Sequence, residues 1–298
     1  MRVPAWALIL SLSLHTAAFC APRTSRKAEV NGGRLYYEVN GHGPPLVFLH
    51  AGIPDRRMWD NQVQYFSRHY TVVRYDLRGY GKSDPPTAPY IPADDLYALL
   101  QFLKMDRAAI VGASIGGTQA IDMAAAHPQA VTALVVVAGS PGWLPYSEEM
   151  NRRTTAIMAG QKEKGPVSVI EGWLHDPMLT TARTRPPVAQ QMRMFLSQNV
   201  PGLLGVPFMR PPNIPLPKLS DFKMPTLVMV GDHDDPEIVQ RAHLITREIP
   251  GAKEIVIKDA DHMVNLEKQP MLTSAVERAI RESKFLTDCG GKDRDPNF

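Results

Sequence analysis

The amino-acid sequence predicts an α/β fold: a mostly parallel central sheet flanked by helices, with a helical lid inserted late in the sheet. Three observations carry this. The segment "KAEVNGGRLYYEVNG" alternates in two runs around Asn31-Gly32, the pattern of an antiparallel hairpin. Short apolar runs then alternate with segments of helical periodicity, as expected when parallel strands are covered on both faces. The alternation breaks once, between Ser140 and about Lys218, where no buried strand is evident.

Taken in order, the hairpin is followed by apolar runs at 46–49 ("LVFL"), 71–75 ("TVVRY"), 108–112 ("AAIVG"), 131–137 ("VTALVVV"), 226–230 ("TLVMV") and 254–258 ("EIVIK"). Each has the length of a strand rather than a helix. Helical spacing covers 92–104, 115–126, 237–247 and 265–284. The resulting division is a core in two parts, 21–139 and 219–287, interrupted by a lid at 140–218. Structureless loops of that length are uncommon inside compact domains unless functional. Six prolines fall between Pro201 and Pro217, and six of the fourteen methionines between Met150 and Met209. Methionine is unbranched and adaptable, which together with Trp143, Trp173 and Phe195 suits a wall facing an apolar ligand.

The ends differ from this body. Met1-Arg2 precedes an uncharged apolar stretch from Val3 to Leu14, followed by the small residues Ala17, Ala18 and Ala21. This is the layout of a signal peptide over 1–20, cleaved after Ala18 or Cys20, and it predicts a secreted or periplasmic protein. The stretch falls short of the ~20 residues that span a bilayer, so no stable membrane anchor is expected. Residues 288–298 form a polar tail. The two cysteines, Cys20 and Cys289, lie in these end segments and supply no disulfide framework. A formal charge of +3 among 298 residues, with no basic run, gives nucleic-acid binding no support.

One strand-to-helix junction has a composition of its own. Apolar "AAIV" runs into Gly112-Ala113-Ser114-Ile115-Gly116-Gly117, then into helical spacing. Glycines around a serine suit a turn too sharp for ordinary residues, the Gly-x-Ser-x-Gly arrangement that lifts a hydroxyl above a sheet. A serine hydroxyl needs a neighbouring base, usually histidine. Of nine histidines, His50, His233 and His262 lie near strand ends, and His262 follows the last apolar strand on the rim expected for Ser114. The base needs an orienting acid. "VMVGDHDDPEIV" offers Asp232, Asp234 and Asp235 on that same rim. The chain order is then serine, aspartate, histidine.

These segments resemble the α/β-hydrolase fold enzymes with a serine nucleophile, over nearly all of the chain beyond the signal segment. "PPLVFLHAGIPDRRMWD" resembles their His-Gly oxyanion loop, and "VVRYDLRGYGKSD" their Asp-x-Arg-Gly-x-Gly-x-Ser segment. "GDHDDP" resembles the acid loop and "DADHMVNLEKQP" the histidine loop. The resemblance implies Ser114 as nucleophile, His262 as base and Asp234 as acid, with Asp232 and Asp235 as runners-up. It also implies an oxyanion hole from the backbone N–H groups of Gly52 and Ile115. The chain departs from the family's His-Gly pair by carrying Ala51. It further implies structural roles for His50, Asp76, Arg78 and Ser83. Serine at the elbow separates the chain from the dehalogenase and epoxide hydrolase branches, which resemble it but carry aspartate there. No zinc spacing and no dinucleotide fingerprint is present, so neither metal nor cofactor is expected. The expected activity is hydrolysis of small carboxylic esters with short to medium acyl groups. Similarity of the Arg-Tyr-Asp-Leu-Arg-Gly and Met-Trp-Asp segments to enol-lactone hydrolases makes a lactone the alternative substrate. A ligand receptor on the same fold is the non-enzymatic alternative.

Overall fold

The computed structural model describes residues 24–282. The expected signal segment, 1–20 with Cys20, and the polar tail with Cys289 lie outside the described residues. Strands β1 (Thr24–Val30) and β2 (Gly33–Asn40) pair antiparallel, closing from Val30↔Gly33. Asn31 and Gly32 between them have φ of 46° and 72°, the paired positive values of a tight hairpin turn that Asn-Gly favours. β3 (Pro45–Leu49), α1 (Asp60–Phe66), β4 (Thr71–Tyr75), α2 (Pro92–Phe102), β5 (Ala108–Ala113), α3 (Ile115–Ala126) and β6 (Val131–Val137) follow.

The chain then leaves the sheet for α4 (Glu148–Lys164), α5 (Pro166–Leu174), α6 (Thr180–Thr184) and α7 (Pro186–Gly205). It returns through β7 (Thr226–Gly231), α8 (Pro236–Glu248), β8 (Lys253–Ile257), α9 (Val264–Glu267) and α10 (Gln269–Glu282). The sheet has eight strands in the order β1-β2-β4-β3-β5-β6-β7-β8. It is antiparallel at β1/β2 and β2/β4 and parallel from β4 onward.

Burial explains the strand sequences. Every residue of β5, β6 and β7 is buried, so both faces of these central strands are apolar. The edge strand β8 exposes Lys253 and leaves only Ile257 fully buried, the charged edge that discourages pairing with another chain. Below the sheet's antiparallel side, Glu38 accepts from Arg56 Nε at 3.0 Å and Arg74 Nη2 at 2.7 Å, and Arg56 Nη1 reaches Asp76 Oδ2 at 2.8 Å. Opposite charges this deeply buried persist because each is paired and hydrogen-bonded.

Two local features differ from the sequence expectation. The polar segment "DNQVQYF" forms α1, a helix of seven residues whose pattern is too short to read by period. The helical spacing expected at 265–284 is met, over the described residues 264–282, by two helices, because Pro270 starts a helix better than it continues one, and the chain leaves helical geometry at Lys268.

The helices between β6 and β7 carry their own punctuation. Ser147 Oγ accepts from Met150 N at 3.2 Å to cap α4, with Glu148 and Glu149 in its first turn. Gly165, at φ 73°, ends α4, and Pro166 opens α5. In α7, Pro201 interrupts the helix and Asn199 takes φ −115°, ψ 16°. Among the described residues no helix is long and apolar enough to cross a membrane.

Candidate active site

Parallel strands bring the carboxyl ends of β3, β5, β7 and β8 to one rim, and the loops after them carry the site. Ser114 joins β5 to α3 with φ 52° and ψ −118°, a conformation L-residues avoid. Its N–H donates to Val137 O at 2.8 Å, which holds the strained turn to β6. None of the three glycines around it lies in the left-handed region. They are there because backbone crowds them. A Cβ on Gly112 would lie 2.1 Å from Gly116 O, and one on Gly116 would lie 2.5 Å from Leu49 O. A Cβ on Gly117 would press on Gly139 Cα at 3.0 Å. The strain falls on the serine, and the glycines let β3, β5 and α3 close around it.

Ser114 Oγ lies 2.7 Å from His262 Nε2. His262 Nδ1 lies 3.0 Å from Asp234 Oδ2 and 3.1 Å from Oδ1. With Asp234 ionised, Nδ1 carries the proton and donates it to the carboxylate, leaving Nε2 free to accept from the serine hydroxyl. Asp234 and His262 are both buried. Burial alone would lower the imidazole pKa. The charge and hydrogen bond of Asp234, with Asp261 and Asp176 beyond it, outweigh this and hold His262 above the ordinary value.

Of the three aspartates in this loop, only Asp234 meets the imidazole. Asp235 caps α8 by accepting from Glu237 N at 2.9 Å and pairs with Arg153 at 2.7 Å. Asp232 accepts from Ala260 N at 3.5 Å and faces Lys258 at 3.5 Å. His233 is exposed, beside Thr181.

The loop after β3 lies against the start of α3. A Cβ on Gly52 would be 2.6 Å from Ile115 Cδ1. The backbone N–H groups of Gly52 and Ile115 have no hydrogen-bond partner among the described residues. Ala51 is held on both sides, its N–H donating to Met58 Sδ at 3.2 Å and its carbonyl accepting from His50 Nδ1 at 2.7 Å. His50 Nε2 accepts from Leu77 N at 2.9 Å, and burial pushes the ring's pKa down, so it stays neutral as a brace between two loops. Asp76 accepts from Arg56 N at 3.0 Å and Lys82 N at 2.9 Å, and Ser83 Oγ donates to Asp76 O at 2.5 Å. Arg78 Nε donates to Asp95 at 2.6 Å. All four hold loops in place, and none of them hydrogen-bonds the serine.

Apart from Phe195, the helical insertion reaches the site through residues that sequence reasoning did not single out. Asn199 is fully buried at the kink in α7. Its Nδ2 donates to Ile53 O and Asp55 Oδ2, each at 3.3 Å, and its Oδ1 accepts from Gly81 N at 3.0 Å. Arg185, just before α7, donates to Glu267 at 2.6 Å and Asp259 at 2.7 Å. Asp261, next to His262, accepts from Ala182 N at 2.8 Å. Arg153 ties Asp176, at 2.8 Å, to Asp235. Phe195 is fully buried with the Arg57 guanidinium over its ring at 5.3 Å. The one local signal for Asn199 is the proline two residues later.

A family model described as the alpha/beta hydrolase family matches residues 46–274. The chain spans 35% of the length of uncharacterized proteins from Mycobacterium tuberculosis and Mycobacterium bovis, with 33% identity over 120 residues, 39% of this chain. It is 25% identical over 252 residues to 3-oxoadipate enol-lactonase 2 of Acinetobacter baylyi, covering 80% of this chain and 89% of that one. Est816, described as an N-acyl homoserine lactone degrading enzyme, superposes with a TM-score of 0.69 at 28% identity, covering 85% of this chain and 99% of its own. A structure from work on carboxylesterases of Nitrososphaera gargenis superposes with a TM-score of 0.73 at 25% identity, covering 87% and 100%.

Proposed function

This chain belongs to the alpha/beta hydrolase family, and on that premise we propose that it hydrolyses small carboxylic esters through an acyl-enzyme intermediate on Ser114. The observation that carries the reading is the chain of contacts Ser114 Oγ, His262 Nε2, His262 Nδ1, Asp234, at 2.7 and 3.0 Å. His262 takes the serine proton as Oγ attacks the carbonyl carbon, and Asp234 stabilises the imidazolium that forms. The carbonyl oxygen becomes an oxyanion, received by the free N–H groups of Gly52 and Ile115. His262 then returns the proton to the departing alkoxide, and the alcohol leaves. Water enters, gives its proton to His262 and attacks the acyl-serine; as the acid is released, His262 returns that proton to the Ser114 oxygen and restores the hydroxyl.

The helices between β6 and β7 act as the lid that shapes the acyl pocket. Short to medium acyl esters are favoured over long chains. Lactones are cyclic esters and pass through the same steps without losing a separate alcohol, and the names of an enol-lactonase relative and a lactone-degrading neighbour favour this second reading. We also propose export, with residues 1–20 removed. N-terminal sequencing of the protein recovered outside the cytoplasm tests this, and a mature form beginning at Met1 rejects it.

The activity is tested by labelling with a fluorophosphonate, which forms a covalent adduct at an activated serine. Peptide mapping is expected to place the adduct on Ser114, with repeated turnover on short-chain esters. An adduct elsewhere rejects the site. A single slow release with retained ligand would mark a receptor instead.

A further inference from the structure

Asp234 is not the only carboxylate set against the base. Asp261 precedes His262 in the chain and is fully buried, its Oδ1 accepting from Met263 N at 3.2 Å. Another, Asp176, comes from the helical insertion. It stands between α5 and a single turn of 3₁₀ helix, Pro177–Leu179, and its Oδ1 caps that turn by accepting from Met178 N at 3.0 Å. The turn lies against the histidine, whose backbone N–H donates to Met178 O at 3.3 Å. Asp176 is buried, and its Oδ2 accepts from Arg153 Nε of α4 at 2.8 Å. Arg153 Nη2 also reaches Asp235 Oδ2 at 2.7 Å, next in the chain to Asp234. A cap alone needs no charge, since asparagine or serine serves as well. Burying a carboxylate costs solvation and calls for the cation that α4 supplies. The cap therefore leaves the charge of Asp176 unexplained.

That charge has a receiver. When Ser114 Oγ attacks, His262 becomes an imidazolium in a buried place. Burial disfavours this cation, while Asp234, then Asp261 and then Asp176 favour it and hold the ring above its ordinary value. The remaining charges around the ring come from several elements. Glu267 of α9 accepts from Asp261 N at 3.0 Å and pairs with Arg185, before α7, at 2.6 Å. Burial, with Asp261 beside it, pushes the Glu267 carboxyl up to about 8. Asp235 pairs with Arg153, and Lys268 with Asp259. His233, Lys258 and Asp259 are exposed, where solvent screens their charge.

We propose that Asp176 is a positioning residue for the base: its carboxylate, delivered by the insertion, stabilises the His262 imidazolium that forms as Ser114 attacks. This rests on the reading of Ser114 as nucleophile and His262 as base. Asp234 and Asp261 stand on loops that follow the sheet strands, whereas Asp176 belongs to the insertion. Seating the insertion against His262 therefore completes the electrostatic surroundings of the triad. Arg153 opposes this field, because it balances the charge of Asp176 and Asp235 while holding both in place.

The test sets two substitutions of opposite charge against each other. Asp176→Asn keeps an acceptor for Met178 N without the charge. It is expected to lower the His262 midpoint by about half a pH unit and kcat on 4-nitrophenyl acetate about threefold. Arg153→Gln removes the balancing cation and is expected to raise the midpoint by a similar amount. Arg153→Lys keeps the cation and is expected to leave it in place. The midpoint is read twice: from kcat/KM against pH, and from the NMR titration of the His262 ring in the resting protein, assigned with His262→Gln. The second reading separates the imidazole from Glu267. A merely structural contact would move the midpoints of Asp176→Asn and Arg153→Gln the same way or not at all, and either result overturns the proposal. Should Asp176→Asn fail to fold, Arg153→Gln against Arg153→Lys decides alone, and a midpoint that stays or falls in Arg153→Gln overturns it. Unmoved midpoints with Ser114-dependent hydrolysis reject the role of Asp176 and leave the ester-hydrolase reading intact. Opposite shifts by NMR without such hydrolysis support the link from Asp176 to His262 and reject that reading instead.

Discussion

The two sides of the site are held by different means. Ser114, Asp234 and His262 sit just beyond the ends of β5, β7 and β8, whose pairing and burial fix the backbone that carries them. The helices α4–α7 reach the same place through side chains: Arg153 to Asp235, Arg185 to Glu267 and Asp259, Asn199 to Ile53, Asp55 and Gly81. The first side is built by the sheet as a whole and cannot be loosened one contact at a time. The second is a set of polar ties, each removable by one substitution. Damage to the first should abolish the chemistry, and damage to the second should tune it.

The sharpest way to break this contrast is at Ser114 and His262. Alanine at either is expected to lower kcat by about 10⁴- to 10⁶-fold, and the double variant by little more, since the pair acts as a unit. Steady-state kinetics on one short-chain ester checks both. Asp234→Asn is expected to cost about 10⁴-fold, through a misplaced imidazole proton, while Asp232→Asn and Asp235→Asn stay far closer to wild type. The base must be neutral to act, so kcat/KM should rise with pH through a midpoint above the ordinary ~6.5 of imidazole. The residual activity of Asp234→Asn should have a lower midpoint, because the charge that raises it is gone. A crippling Asp232→Asn would move the acid to the wrong residue.

On the other side, Asn199→Ala is expected to lower kcat about tenfold, with little change in KM and none in the pH midpoint. It removes a tie on the Gly52–Asp55 loop and leaves His262 untouched. Trp173→Ala, in α5, should redistribute kcat/KM among acyl lengths by ~1–3 kcal/mol and leave the same pH midpoint. Identical chain-length profiles in variant and wild type would remove α5 from the pocket wall.

The smallest effect lies where the two sides join. Asp122 of α3 is buried where the chain leaves the sheet, accepting from Gly142 N at 2.9 Å, and burial pushes its carboxyl up to about 7. A carboxyl with a folded pKa above its unfolded value binds its proton more tightly when folded. Stability therefore falls as pH rises from about 4 to 7. Asp122→Asn keeps an acceptor for Gly142 without the charge. Its Tm should exceed that of wild type by a few degrees at pH 8, with a smaller difference at pH 5.

The same contrast governs what could be read from the sequence. Continuous apolar runs mark strands buried on both faces, so β3 through β7 stand out, β8 shows as a shorter apolar run at the edge, and the residues just past them are natural places to seek chemistry. Three aspartates in a single loop cannot be separated by position alone. The resemblance to a family pattern picked out Asp234, which is the one that meets His262. Asn199 left no such mark. Its role depends on partners far away in the chain, such as Ile53, and no local period encodes such a meeting. The seven-residue α1 was too short for periodicity to show, and the break at Lys268 turned on one proline.

Helix α7 joins these ties into one device. Arg185 at its start grips the histidine loop and Asn199 grips the loop of Gly52, about four helical turns further on. Four turns return a helix to nearly the same face, so both grips can be satisfied at once. The segment thus acts as a spacer of fixed length between the loop of His262 and the loop of Gly52. Deleting or inserting a single residue within it would turn one grip by about 100° and shift it by about 1.5 Å. Substitutions on its solvent face should be freely tolerated. Changes in its length should not, and variation in the size of this insertion among proteins built this way is expected before Arg185 or after Gly205 rather than between them.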